Sequence, residues 1–139
     1  MKWFSTLRLP SLVFICATWA SMADAECDAV RRIALATGAK TFASATTGDV
    51  RLRAAPGDIL VYCDRLGFTA YGAAKPASRD FYALVGRAGS ALLVGSAELL
   101  TKSAERCMQS GSAGGTCPMI GSFFLDCWDG NICRVESAD

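Results

Sequence analysis

The stretch GDVRLRAAPGDILVYC, residues 48–63, decides the fold class. It contains two similar phrases, GDVRL at 48–52 and GDILV at 57–61, and in each a turn-forming Gly-Asp pair leads into residues typical of β-strands. The run at 59–63 is apolar without interruption, which is typical of a strand in the interior of a sheet. We therefore predict two successive strands, the second of them in the middle of the sheet.

Later segments extend this sheet. Residues 67–73, with Phe68 and Tyr71, have the composition of a neighbouring strand, and residues 120–127 and 132–135 predict two more strands. The last two are joined at Asp129-Gly130, a strong signal for a hairpin turn.

Three segments show helical periodicity instead. The first spans 26–37 and ends at Gly38, the second begins after Ser78 and ends at Gly89, and the third begins after Ser96. A short strand is predicted at 91–94, between the second and third helices.

These elements predict an α+β domain, in which two or three short helices cover a small, mainly antiparallel sheet braced by disulfides. An open barrel of the OB type is one architecture that this order satisfies. In general layout, including a short cysteine loop near the C-terminus, the chain is similar to the receptor-binding subunits of some bacterial toxins. That resemblance is one of general layout and covers no diagnostic motif.

The N-terminal segment predicts export. Lys2 and Arg8 precede an apolar stretch at 9–20, and small residues follow at the spacing that signal peptidase requires. We expect cleavage after Ala25, which leaves a single domain at 26–139. A membrane anchor is the alternative, but the apolar run is short for a span and contains Pro10, so we expect no stable span after processing.

The cysteines support an oxidising compartment. Six of them lie beyond the predicted cleavage site, and an even number in an exported chain predicts structural disulfides. Chain order favours the pairs Cys107–Cys117, Cys127–Cys133 and Cys27–Cys63. The single Asn is not in a glycosylation sequence, so we predict a bacterial protein that is secreted or periplasmic.

Charge and composition argue against several functions. Loss of residues 1–25 removes Lys2, Arg8 and Asp24, which leaves equal numbers of basic and acidic residues. A domain without net charge favours neither nucleic acid nor an anionic membrane as partner. A local basic patch, for example at Arg51, Arg53 and Arg65, is the alternative that the sequence leaves open.

The chain contains no histidine, so it lacks the usual general base and imidazole metal ligands. It also has no Cys-x-x-Cys motif, and we predict no metal and no cofactor.

Carboxylates are the remaining catalytic candidates. Asp126 and Asp129 lie close in sequence, and Asp49 and Asp58 occupy the same place in the two turn-forming Gly-Asp pairs. A glycosidase, however, needs two acids that face each other across a cleft. Asp126 and Asp129, with Asn131, also form an oxygen-rich group that could bind calcium or simply be a solvated hairpin tip.

Trp128 lies inside the predicted Cys127–Cys133 loop, beside those acids. An indole on a rigid turn is a common anchor for a protein or sugar ligand, and the alternative is that it covers the edge of the core. Tyr71 is a second candidate for the same surface.

We therefore predict a non-enzymatic binding or accessory protein, inhibitor-like or receptor-binding-subunit-like, whose loops contact a protein or glycan partner. The predicted binding residues are Tyr71, Asp126, Trp128 and Asp129. A small carboxylate-dependent hydrolase that acts on a glycan is the alternative. A homo-oligomer is compatible with either function.

Overall fold

The computed structural model describes residues 27–44, 48–93, 95–110, 117 and 120–138. In chain order the elements are α1 Asp28–Thr37, β1 Lys40–Ser44, β2 Val50–Ala54, β3 Gly57–Val61, β4 Gly67–Gly72, α2 Arg79–Leu92, α3 Ala97–Gln109, β5 Phe123–Trp128 and β6 Ile132–Ser137. The predicted α+β class is confirmed. The predicted signal peptide at 1–25 lies outside the described residues. Among the residues described, no helix is both long enough and apolar enough to cross a membrane.

The strands form one antiparallel sheet in the order β1-β2-β3-β4-β6-β5. β3 pairs with β2 and β4 along its whole length, so the segment predicted to lie in the middle of the sheet does so. The sheet is open and does not close into the OB-type barrel, because β1 and β5 lie at opposite edges.

The hydrophobic core lies on one face of the sheet. Leu52, Ile59 and Phe68 lie on that face and are inaccessible to solvent, whereas their chain neighbours point to the other side. Successive side chains of a strand alternate between faces, so the pattern assigns every strand residue to a side. All three helices contribute to the core on the buried face.

The first helix ends as predicted. Val30 and Ile33 of α1 are buried, and the N–H of Gly38 donates to the carbonyl of Ala34 at 2.9 Å. Gly38 has φ of 71°, a left-handed conformation that glycine adopts without steric cost.

The predicted caps of the other helices are also confirmed. The Ser78 hydroxyl accepts from the N–H of Phe81 at 3.2 Å, and the Ser96 hydroxyl accepts from that of Leu99 at 3.3 Å. Each side chain satisfies a backbone donor that the first turn of a helix leaves without a partner.

The strand predicted at 91–94 is wrong. α2 continues through Gly89 to Leu92, and Val94 lies outside the described residues. A short apolar run fits a buried helix end as well as a strand. Within this helix, glycine at position 89 leaves room for Leu100 of α3. A Cβ atom there would lie 2.9 Å from the leucine Cδ1.

β1 is a strand that the sequence did not reveal. All five of its residues are exposed, so it shows no alternation of apolar and polar positions. It pairs with β2 through an irregular register between Thr41 and Ala43.

The three predicted disulfides are confirmed. Their Cα–Cα distances are 5.5 Å for Cys27–Cys63, 5.3 Å for Cys107–Cys117 and 4.1 Å for Cys127–Cys133. The first connects the start of α1 to the end of β3, and the last joins directly opposed residues of β5 and β6.

The predicted turn between β5 and β6 is confirmed as well. Asp129 and Gly130 have φ of 58° and 77°, the left-handed conformation expected in a tight hairpin. At the outer edge of β5, the N–H of Cys127 donates to the sulfur of Cys107 at 3.1 Å. The end of α3 is therefore fastened to β5.

The Cys27–Cys63 bridge should dominate the contribution of the disulfides to stability. It closes the largest loop, with a sequence separation of 36. Replacing both residues by alanine should lower the free energy of unfolding by about 4 kcal/mol, because the unfolded chain regains loop entropy. Urea denaturation of the oxidised proteins measures this. Under full reduction the difference from the wild type should nearly vanish, and an equally large difference there would contradict an effect of the cross-link.

Gly86 should be intolerant of a side chain. A Cβ atom there would lie less than 3.0 Å from the Ala97 carbonyl and the Thr101 hydroxyl of α3. Gly86→Ala should reduce the free energy of unfolding by about 1 kcal/mol, because overpacking of about 2 kcal/mol exceeds the helix-propensity gain of about 1 kcal/mol. Gly95→Ala is the matched control, since nothing lies within 4 Å of that Cβ position. If denaturation gave the same change in the free energy of unfolding for Gly86→Ala and Gly95→Ala, the close approach of α2 and α3 would be contradicted.

Candidate functional site

None of the three described helices covers the second face of the sheet, and we call this face the open face. Its side chains come from all six strands and form rows, because directly paired residues of antiparallel strands point to the same side. One row across the sheet contains Lys40, Arg53, Asp58, Tyr71, Ile132 and Trp128. The adjacent row contains Ala43, Arg51, Leu60, Thr69, Arg134 and Asp126.

Large aromatic side chains are exposed on this face. Phe42 is 50% exposed, Phe124 is 47% exposed and Trp128 is 40% exposed. Folding does not require such side chains in solvent, and exposed aromatic groups that lie on one surface are typical of binding sites. The open face thus offers aromatic contact area to a partner.

Arginine side chains lie against the aromatic rings. The guanidinium of Arg53 stands 3.6 Å from the centre of the Phe42 ring, and that of Arg134 stands 5.8 Å from the centre of the Trp128 ring. Arg51 lies over Tyr71 at 5.9 Å. Cation–π contacts of this kind restrict long side chains, so the face is partly ordered before any ligand binds.

Ion pairs connect neighbouring strands across the same surface. Arg53 contacts Asp58 at 3.2 Å, and Arg134 contacts Asp126 at 3.0 Å. Both are cross-strand pairs of opposite charge, which stabilise a sheet locally. Asp126 is therefore on the open face, but its carboxylate already has a cationic partner.

A third cluster closes one end of the open face. The hydroxyls of Tyr62 and Thr69 are hydrogen-bonded to each other, and the guanidinium of Arg65 lies 4.1 Å from the centre of the Tyr62 ring. Arg65 also pairs with Glu136 at 2.8 Å. Desolvation lowers the pKa of Arg65, but Glu136 and Asp64 outweigh it, so this pKa lies above its ordinary value and the side chain stays cationic.

Three of the four predicted binding residues lie together on the open face. Tyr71 and Trp128 stand in the same row, with Ile132 between them, and Asp126 stands in the next row. Two strand spacings separate Tyr71 from Trp128, or about 10 Å. A single ligand can span that distance.

Asp129 does not join them. It lies in the hairpin turn, where its carboxylate accepts from Lys75 at 2.8 Å. The neighbouring backbone is fixed by the loop after β4, since Ala77 N–H donates to the Gly130 carbonyl at 2.9 Å. The turn is therefore docked on the body of the domain.

The oxygen groups of Asp126, Asp129 and Asn131 do not form a shared site. Asp126 pairs with Arg134, Asp129 pairs with Lys75, and the Asn131 amide donates to the Gly72 carbonyl at 3.2 Å. No group of histidine, cysteine or acidic side chains in the described part of the chain has the arrangement of a metal site.

A groove of about 710 Å³ opens where the β2–β3 turn, the start of β1 and the end of β4 meet. The polar side chains at its walls are Lys40, Arg53, Asp58 and Tyr71. Small residues form the rest of the lining, namely Gly38, Ala54, Ala55, Gly57, Gly72 and Ala73. The groove is continuous with the open face through Tyr71.

Sequence reasoning missed Phe42, Phe124 and Arg134 as members of this surface. All three side chains point away from the core, which is the feature that marks them as members of the open face. The sequence does not reveal this orientation until the strand register is known. Arg51 and Arg53 were named only as a possible basic patch, and the structure places both on the open face.

Comparison of the chain with protein-family models, with curated proteins and with solved structures gave no match.

Proposed function

We propose that this protein is an exported, non-enzymatic binding or accessory protein, which holds a protein or glycan partner on the open face. The observation that carries the proposal is the concentration of exposed aromatic and arginine side chains on the open face, with Trp128 at one end and Phe42 at the other. Tyr, Trp and Arg are the residues that most often dominate binding energy at interfaces.

The size of the face favours a compact ligand. Six strands of five or six residues give a flat area on the order of 400 Å², from spacings of about 4.8 Å between strands and about 3.3 Å along them. A standard protein interface buries about 800 Å² on each partner. A glycan chain or a short protein segment therefore fits the face better than a large globular surface.

The alternative, a carboxylate-dependent hydrolase, receives less support from the geometry. Asp58, Asp126 and Asp129 each have a cationic partner at hydrogen-bonding distance. The groove at the end of the sheet is lined by one carboxylate, that of Asp58, whereas glycoside hydrolysis usually needs two facing acids. A shallower depression contains Asp28 and Asp64, but both carboxylates are well exposed and pair with arginine.

Trp128 should be a main contributor to binding. We expect Trp128→Ala to weaken capture of the natural partner from envelope extract or a glycan panel by about 30-fold, since truncation of an interface anchor typically costs about 2 kcal/mol. Leu99→Ala is the matched control, because Leu99 is 53% exposed on α3, away from the open face. If Trp128→Ala and Tyr71→Ala both capture partner as well as the wild type, the open face is not the binding surface.

Export should produce a defined N-terminus. Cleavage after Ala25 gives a protein that begins at Glu26, which intact mass and N-terminal sequencing of the purified protein would detect. The three disulfides should be present in that form, with no free thiol in residues 26–139. Recovery of the uncleaved chain in the membrane fraction would contradict export by a cleaved signal.

A further inference from the structure

The charge of the open face is divided unevenly. Near β1, β2 and β3 it has three cations, Lys40, Arg51 and Arg53, and one anion, Asp58. Towards β6 and β5, Arg134 has carboxylate contacts on both sides, Asp126 at 3.0 Å and Glu136 at 3.8 Å. The first half of the face therefore has an excess of positive charge, although residues 26–139 as a whole are neutral by composition.

Lys40 and Arg53 form an arrangement that folding does not explain. They are directly paired residues of β1 and β2, and like charges at such positions destabilise a sheet. Within the described ranges, no carboxylate lies within 4.0 Å of the Lys40 ammonium or the Arg51 guanidinium. An anion bound between these side chains would relieve the repulsion.

Arg53 is held in a geometry suited to such an anion. Its Nε donates to Asp58 at 3.2 Å, and its guanidinium stacks on Phe42. These two contacts restrict the plane of the group and do not use its two terminal nitrogens. An arginine ordered in this way is suited to a planar carboxylate, which it can bind through parallel hydrogen bonds.

The groove beside these cations is large enough for a small ligand. Its floor is made of small residues, and a Cβ atom on Gly57 would collide with the backbone of Tyr71. The Tyr71 side chain forms one wall, and a volume of about 710 Å³ lies in the range of pockets for small ligands.

The backbone around the groove is already paired. Ala73 N–H donates to the Pro56 carbonyl at 3.0 Å, and Gly72 N–H donates to the Asn131 carbonyl at 2.7 Å. β2, β3 and β4 have neighbours on both sides. A peptide cannot add as a strand to β2, β3 or β4, so recognition in the groove falls to the side chains that line it: charge from Lys40 and Arg53 and ring contact from Tyr71.

We infer that the groove binds a carboxylate-bearing sugar, a uronic acid unit of an anionic glycan, with its carboxylate between Lys40 and Arg53 and its ring against Tyr71. The inference rests on the proposed function, because it names the ligand class for one end of the open face.

Calorimetric titration tests it, with the oxidised protein in the processed form that accumulates in its host. The probes are a trimer of galacturonic acid and the same trimer with its carboxylates methyl-esterified. The acidic trimer should bind and should weaken as salt rises, because exposed charges are screened. The esterified trimer should bind at least tenfold more weakly. Equal affinity for the two trimers, or no binding of the acidic one, would overturn the inference.

Substitutions locate the site. Lys40→Gln, Arg53→Gln and Tyr71→Ala should each weaken binding of the acidic trimer by about five- to tenfold or more. Lys102→Gln and Arg87→Gln remove the same charges from α3 and α2, far from the groove, and should change the affinity less than twofold. Equal losses in the control variants would show attraction by overall charge and would overturn the site.

A second anionic probe tests whether the groove recognises a sugar or only negative charge. A glutamate oligomer of matched charge should bind at least tenfold more weakly than the acidic trimer, and equal binding would overturn a sugar site.

A last measurement distinguishes failure of the uronic acid inference from failure of the proposed function. Capture of the natural partner by Trp128→Ala reports on the open face independently. If capture depends on Trp128 while the trimer does not bind, the uronic acid inference fails and the proposed function stands. If the trimer binds as expected but capture does not depend on Trp128 or Tyr71, the larger proposal fails.

Discussion

Burial of a single face of the sheet is the constraint on which the rest of the structure depends. Phe68, Ile59 and Leu52 lie at the centre of that face and belong to one core cluster with buried residues of all three helices. Because strand side chains alternate, the same packing directs the intervening residues to the opposite face. The open face therefore results from burial of the opposite face. Its residues can contact a ligand because they do not form part of the hydrophobic core.

The disulfides reinforce this arrangement by linking elements that pack on the core. Cys27–Cys63 holds α1 against the end of β3, and Cys127–Cys133 joins the two strands that come last in the chain. A domain of this size buries too little apolar surface to have a large margin of stability, and cross-links that restrict the unfolded chain supply part of it. Rigidity at the hairpin also fixes Trp128 relative to the sheet.

Local signals in the sequence predicted the central strand, the glycine end of α1, the serine caps and the two short disulfide loops, because each depends on residues close together in the chain; the pair Cys27–Cys63 followed as the two cysteines that remained. They failed for β1, whose residues are all exposed, and for 91–94, where an apolar run suits a helix end equally well. Tyr71 and Trp128 were chosen separately as exposed aromatic candidates. That they share a row follows from the pairing of β4 with β6, a long-range register that no local pattern contains.

The two outer strands of the sheet differ in a way that limits self-association. On β5, the N–H of Cys127 is occupied by the sulfur of Cys107, whereas no described strand lies beyond β1, whose side chains are all exposed. An edge strand presents unpaired backbone groups to which another chain can add. The lysine that begins β1, Lys40, is the kind of charged residue that discourages such pairing.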